Sequence, residues 1–130
     1  MDHREPQQHP VPRVNTTRNY VTRCVRTLLE QGLVIERSWL DPSDPRDATV
    51  IFGDTRALVW DETTGWRIGV FRAGEQGVRT TLGGSVQLGG GPLPTPRELA
   101  WRIASGATAS RREYRSYADS DGFDEVLRTY

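Results

Sequence analysis

Lysine is absent from the 130 residues, cysteine occurs once, and methionine stands only at position 1. A single cysteine, Cys24, excludes an internal disulfide and suits a reducing compartment, so a cytoplasmic location is expected. No apolar run approaches the length of a membrane span, and the opening MDHREPQQHP lacks the apolar core of a secretory signal. All 17 positive charges are therefore arginine, balanced by 17 acids. GC-rich codon usage is one explanation of that choice, and a surface built on the rigid guanidinium fork is the other. A net charge of zero argues against a protein whose main task is gripping nucleic acid backbones. The balance is uneven along the chain: residues 33–62 carry three arginines against seven acids, and residues 63–102 five against two.

Thirteen glycines, eight prolines and an apolar fraction of 35% favour a domain rich in turns over a helical bundle. Residues 1–14, polar and broken by Pro6, Pro10 and Pro12, read as a disordered arm. Tyr20, Val21, Cys24, Val25, Leu28 and Leu29 recur at helical spacing and predict a helix over about 17–31, stopped by Gly32. Strand-like segments follow at 33–40, 48–52, 56–61, 66–72 and 78–82, with a short piece at 86–88, each separated by turn residues. Connections this short leave no room for a crossover helix and predict antiparallel neighbours. The expected fold is α+β: a meander of four to five antiparallel strands packed against an N-terminal helix and C-terminal helices. Residues 15–106 form its core domain, and residues 107–130 a helical tail. Thr95-Pro96-Arg97-Glu98 is a capping box with proline at the first helical position, and Ser110-Arg111-Arg112-Glu113 repeats the box pattern. Phe123, Val126, Leu127 and Tyr130 fit a last short helix. Both sheet faces carry apolar residues, so one face is expected under the helices and the other open or used in an interface.

Catalytic constellations are missing. His3 and His9 lie in the arm, and Cys24 falls within the helical stripe, so no hydrolytic triad assembles and no catalytic residue is assigned. The glycines Gly83, Gly84, Gly89 and Gly90 lack both the Gly-Lys-Ser/Thr ending of a phosphate loop and the strand–GxGxxG–helix order of a dinucleotide site. They read as turns and a bulge whose backbone donors remain open to a small anion. Asp41, Asp44 and Asp47 recur every third residue, and Asp119-Ser120-Asp121-Gly122-Phe123-Asp124 is briefly calcium-like, but neither has EF-hand spacing; no metal and no cofactor is expected. Glu36, Asp61 and Glu62 read as ordinary surface carboxylates.

The aromatic–arginine pattern is more informative. Trp39, Trp60, Trp66 and Trp101 are many tryptophans for this length, and Trp60 and Trp66 can pair across a hairpin. Arg56, Arg67, Arg72 and Arg79 share the same strands. Core packing is one reading; a binding or interface surface is the other, because tryptophan and arginine dominate interface hot spots. The stretches LVWDETTGWRIG (58–69) and LGGSVQLGGGPLPTPRELAWRI (82–103), with the helical NYVTRCVRTLLEQGL, resemble the DUF6292 family of small actinobacterial proteins over roughly residues 17–105. That family is uncharacterised, so the resemblance implies no site residues. The expected function is a non-enzymatic protein-interaction or accessory module, self-associating as a homodimer. One alternative is a small-molecule or anion-binding domain with a pocket near the Trp/Arg-rich sheet. The other is a nucleic-acid-associated regulator using Arg111, Arg112 and Arg115 on one short helix.

Overall fold

The apolar stripe that starts at Tyr20 forms helix α2 (Arg18–Glu30), which buries Tyr20, Val21, Cys24, Val25 and Leu28. Gly32, at φ 90°, ends it. The computed structural model describes residues 3–41, 45–53, 55–118 and 120–130. A short helix α1 (Pro12–Asn15) precedes α2, with Pro12 in the first turn where no backbone donor is needed. Residues 3–11, read as a disordered arm, lie against the first strand and α2. The carbonyls of His3 and Arg4 accept from the Ser38 backbone N–H (2.9 Å) and hydroxyl (2.7 Å), and Arg18 Nε donates to the Pro6 carbonyl at 3.0 Å. The composition of the arm is polar, but its carbonyls meet donors supplied by distant residues.

Five strands, β1 (Ile35–Leu40), β2 (Asp47–Phe52), β3 (Arg56–Asp61), β4 (Gly65–Glu75) and β5 (Val78–Gln87), form one antiparallel sheet in sequence order. This is the expected meander. Helix α3 (Pro96–Ser105) starts on Thr95, whose hydroxyl accepts from the Glu98 N–H at 3.2 Å, and stops at the left-handed Gly106. Helix α4 (Phe123–Leu127) is the last element. The box pattern at Ser110–Glu113 forms no helix: the stretch has no regular secondary structure, and just before it Ala109 makes an isolated bridge to Gln87.

Alternation sorts the strand residues onto two faces. Ala48, Val50, Phe52, Leu58, Trp60, Trp66 and Ile68 join the α2 stripe, Leu99, Phe123 and Leu127 in the main core. Trp39, Ile51 and Ala57 form a second cluster on the opposite face, covered by Phe71 and Leu82. That face is closed by the sheet itself. In a flat sheet β2 and β5 would stand roughly 14 Å apart, three strand spacings. Instead the Thr49 and Thr80 hydroxyls are 2.7 Å apart, and Arg79 reaches Asp47 at 3.0 Å. Three register shifts between β4 and β5 provide the bend. The chain also runs through Gly83 and Gly84 as one strand, where the sequence suggested a break.

Candidate functional site

Where the curled face opens, strand register gathers polar side chains. Asp47 and Asp61 are direct partners on β2 and β3, and Arg67 on β4 pairs with Gln87 on β5. All four occupy the concave face at one end of the sheet, and with Pro45, Arg79, Thr80, Ser85 and Arg111 they line a cavity of about 400 Å3. Strands β2, β3 and β4 thus contribute one side chain each and β5 four to a site that no contiguous motif encodes.

The two carboxylates behave differently. Asp61 accepts from the backbone and side chain of both Thr63 and Thr64, an Asx-type turn that also shapes the β3–β4 connection, and it pairs with Arg67 at 3.2 Å. Burial alone would raise its pKa, but the Thr64 and Thr63 hydrogen bonds outweigh burial and hold it below the usual aspartate range. Asp47 is only 4% exposed, and its Oδ1 has no hydrogen-bond partner among the described residues. Burial, then the charge of Asp41, pushes the Asp47 carboxyl up to about 7, despite Arg79 on its other oxygen. Asp41, fully buried behind it, accepts from Trp39 Nε1 (2.7 Å) and the Thr49 hydroxyl (2.8 Å); burial lifts it to about 6.

The residues singled out in the sequence separate. Arg67 and Arg79 enter this pocket. Arg56 and Arg72 line a different, shallow groove of about 340 Å3 together with Gly83 and Gly84. Trp60 and Trp66 are cross-strand partners as expected, but both are fully buried on the helix-covered face. Trp60 donates to the Pro92 carbonyl at 2.7 Å and stacks on Phe123, and Trp66 donates to the Tyr20 hydroxyl at 3.0 Å. Their rings are core, so neither offers the surface that a binding role requires. Gly89 and Gly90 adopt positive φ as open turns do, but the Arg102 side chain lies across them and donates to the Leu88 carbonyl at 3.1 Å. Arg102 also pairs with Glu98 at 3.2 Å. Arg111, Arg112 and Arg115 share no helix: Arg112 stacks on Tyr114, and Arg115 lies over Phe123 and pairs with Glu62 and Asp121.

Glu62 is the larger correction among the carboxylates. Read as a surface group, it is fully buried, and it accepts from the Arg46 backbone N–H, Nε and Nη2 and from Arg115 Nη1. These donors overcome burial and keep it ionised. Glu36 is exposed, as expected, whereas Asp61 is buried within its own turn. Asp44 and Asp119 lie outside the described residues, and among those described no His/Cys/Asp/Glu group is placed to hold a metal ion. Cys24 is buried, and burial raises its thiol well above the ordinary range. No helix is long and apolar enough to cross a membrane among the described residues.

Compared with known proteins, residues 20–105 match the model of a family of unknown function, DUF6292. No curated protein and no solved structure matches the chain.

Proposed function

This chain belongs to the DUF6292 family, whose function is unknown, and we propose that it is a binding module that takes a small polar molecule into the pocket at the end of its curled sheet. The observation that carries this reading is Asp47, nearly fully buried in the wall of a 400 Å3 cavity beside Arg67, Arg79 and Arg111. Strongly perturbed acids in a cavity of this size are a mark of binding sites, because their desolvation is otherwise a cost without return. The test is a titration with a neutral polyol (glycerol), a zwitterion (glycine) and an organic anion (glycerol 3-phosphate), followed by amide NMR. Shifts confined to Thr80, Ser85, Gln87 and their neighbours are expected with at least one probe. Silence of these amides to all three at tens of millimolar would overturn the reading.

A second reading, a self-associating or accessory protein, is supported by Trp101, which lies on α3 and is 63% exposed, unlike the other three tryptophans. On this reading light scattering shows a concentration-dependent mass that Trp101→Ser abolishes without lowering Tm. A monomeric mass up to several hundred micromolar would remove it.

A further inference from the structure

Three guanidiniums but only two carboxylates line the pocket. Arg67 is matched by Asp61 at 3.2 Å, and Arg79 by Asp47 at 3.0 Å and the Pro45 carbonyl. Arg111 differs: among the described residues no hydrogen bond or ion pair engages it, while its neighbour Arg112 is stacked on Tyr114. The backbone on either side of Arg111 is nevertheless fixed. Ala109 N–H donates to the Gln87 carbonyl at 2.8 Å, and Tyr114 N–H to the Thr63 carbonyl at 2.8 Å. Gln87 is a wall of the pocket and Thr63 bonds to Asp61, so the stretch between these anchors runs from β5 to the β3–β4 turn. A surplus positive charge held over a cavity by two flanking backbone bonds is a preorganised donor, with its backbone ordering already complete before a ligand arrives.

We infer that the pocket ligand is a small organic anion, a phosphate monoester or a carboxylate, whose charged group is bound by Arg111. This deepens the pocket reading above and rests on it. The cavity is larger than an inorganic phosphate needs, and its remaining polar walls are the Ser85 hydroxyl, the Thr80 hydroxyl with its second bonding position beyond Thr49, and the Gln87 amide oxygen, its nitrogen being turned to the Thr64 and Trp66 carbonyls; they suit an uncharged body carrying hydroxyl groups. Arg111 lies beyond residues 20–105, which match the family model. Arg67 and Arg79 strengthen the field at the site while remaining paired with their aspartates.

Glycerol 3-phosphate, glycerate and glycerol separate the possibilities, since they share a three-carbon body and differ in the charged group. Each is titrated at constant ionic strength into the full chain, into Arg111→Gln and into Arg97→Gln, an exposed arginine on α3 away from the pocket. At least one anion is expected to move the Thr80, Ser85 and Gln87 amides, with an affinity reduced about tenfold or more in Arg111→Gln and unchanged in Arg97→Gln. Which anion binds decides between the phosphate and carboxylate classes. Equal binding by wild type and a folded Arg111→Gln overturns the role of Arg111. Binding of glycerol without either anion overturns the anion class but leaves the pocket reading standing. No response to any probe removes both.

Discussion

Asp61 and Glu62 are adjacent acids at one hairpin end, and alternation sends them to opposite faces with opposite tasks. Asp61 caps its own turn, whereas Glu62 enters the core and joins Arg46 and Arg115, 16 and 53 residues away. Arg46, itself fully buried, is held by Glu62 at 2.9 Å and by Asp124 at 2.7 Å. Ionic clusters of this kind add little net stability relative to a well-packed apolar core, because desolvation offsets the attraction. Removing Glu62 is another matter, since it breaks a fully buried ion pair and leaves Arg46 with only the partly exposed Asp124 as an ion-pair partner among the described residues. Glu62→Gln is therefore expected to destabilise the fold by about 3–5 kcal/mol in urea denaturation. A loss below about 1 kcal/mol, the size of a surface pair, would show that the cluster is more hydrated than its geometry implies. None of this was legible in the sequence. Acids at a hairpin end are usually solvated, and the two arginines that alter this one are remote in the chain.

Among elements, legibility followed locality. Helix α3 could be read almost residue by residue, since its cap, its first-turn proline and its left-handed stop all lie within or beside it. Strand β3 and its pairing with β4 were readable for the same reason, being joined by a short turn. The similar box at Ser110–Glu113 misled, because its side chains satisfy a capping pattern while the backbone on either side of it, at Ala109 and Tyr114, is bonded to β5 and to the β3–β4 turn. Glycine misled in the other direction. Gly83 and Gly84 resemble a terminator, but residues without a Cβ also let a strand bend; Gly83 makes room for the Arg72 side chain. The curl that results turns the second apolar face inward and creates the pocket. Periodicity correctly marked that face as apolar; what covers it depended on curvature, which has no local signature.

For the whole molecule, the buried acids set the pH of greatest stability. Asp41 and Asp47, at about 6 and 7, lie above the roughly 3.9 of an unfolded aspartate, so they favour the fold while protonated. Their contribution is complete below about pH 4 and is lost as pH rises through 6 and 7. Asp61, Glu62 and Asp124 are shifted down, and their contribution is present at neutrality and lost as pH falls through their lowered values. The optimum thus lies on the acid side of neutrality, near pH 5. Thermal melts should give a higher Tm at pH 5.5 than at pH 8, and Asp47→Asn should shrink that difference; a Tm that rises steadily to pH 8 would contradict the burial of these groups.

One shared carboxylate also ties together parts of the chain that are distant in sequence. Through Glu62, the hairpin end is joined to Arg46 before β2 and to Arg115 in the C-terminal segment, while Asp124 on α4 closes the circuit back to Arg46. Undocking α4 deprives Arg46 of Asp124 and strips Phe123 from the Trp60 ring, so fraying of this terminus does not stay local. The C-terminal helix, five residues long and far too short to persist alone, borrows the cooperativity of the sheet, and the two are expected to melt and exchange their amides as one unit.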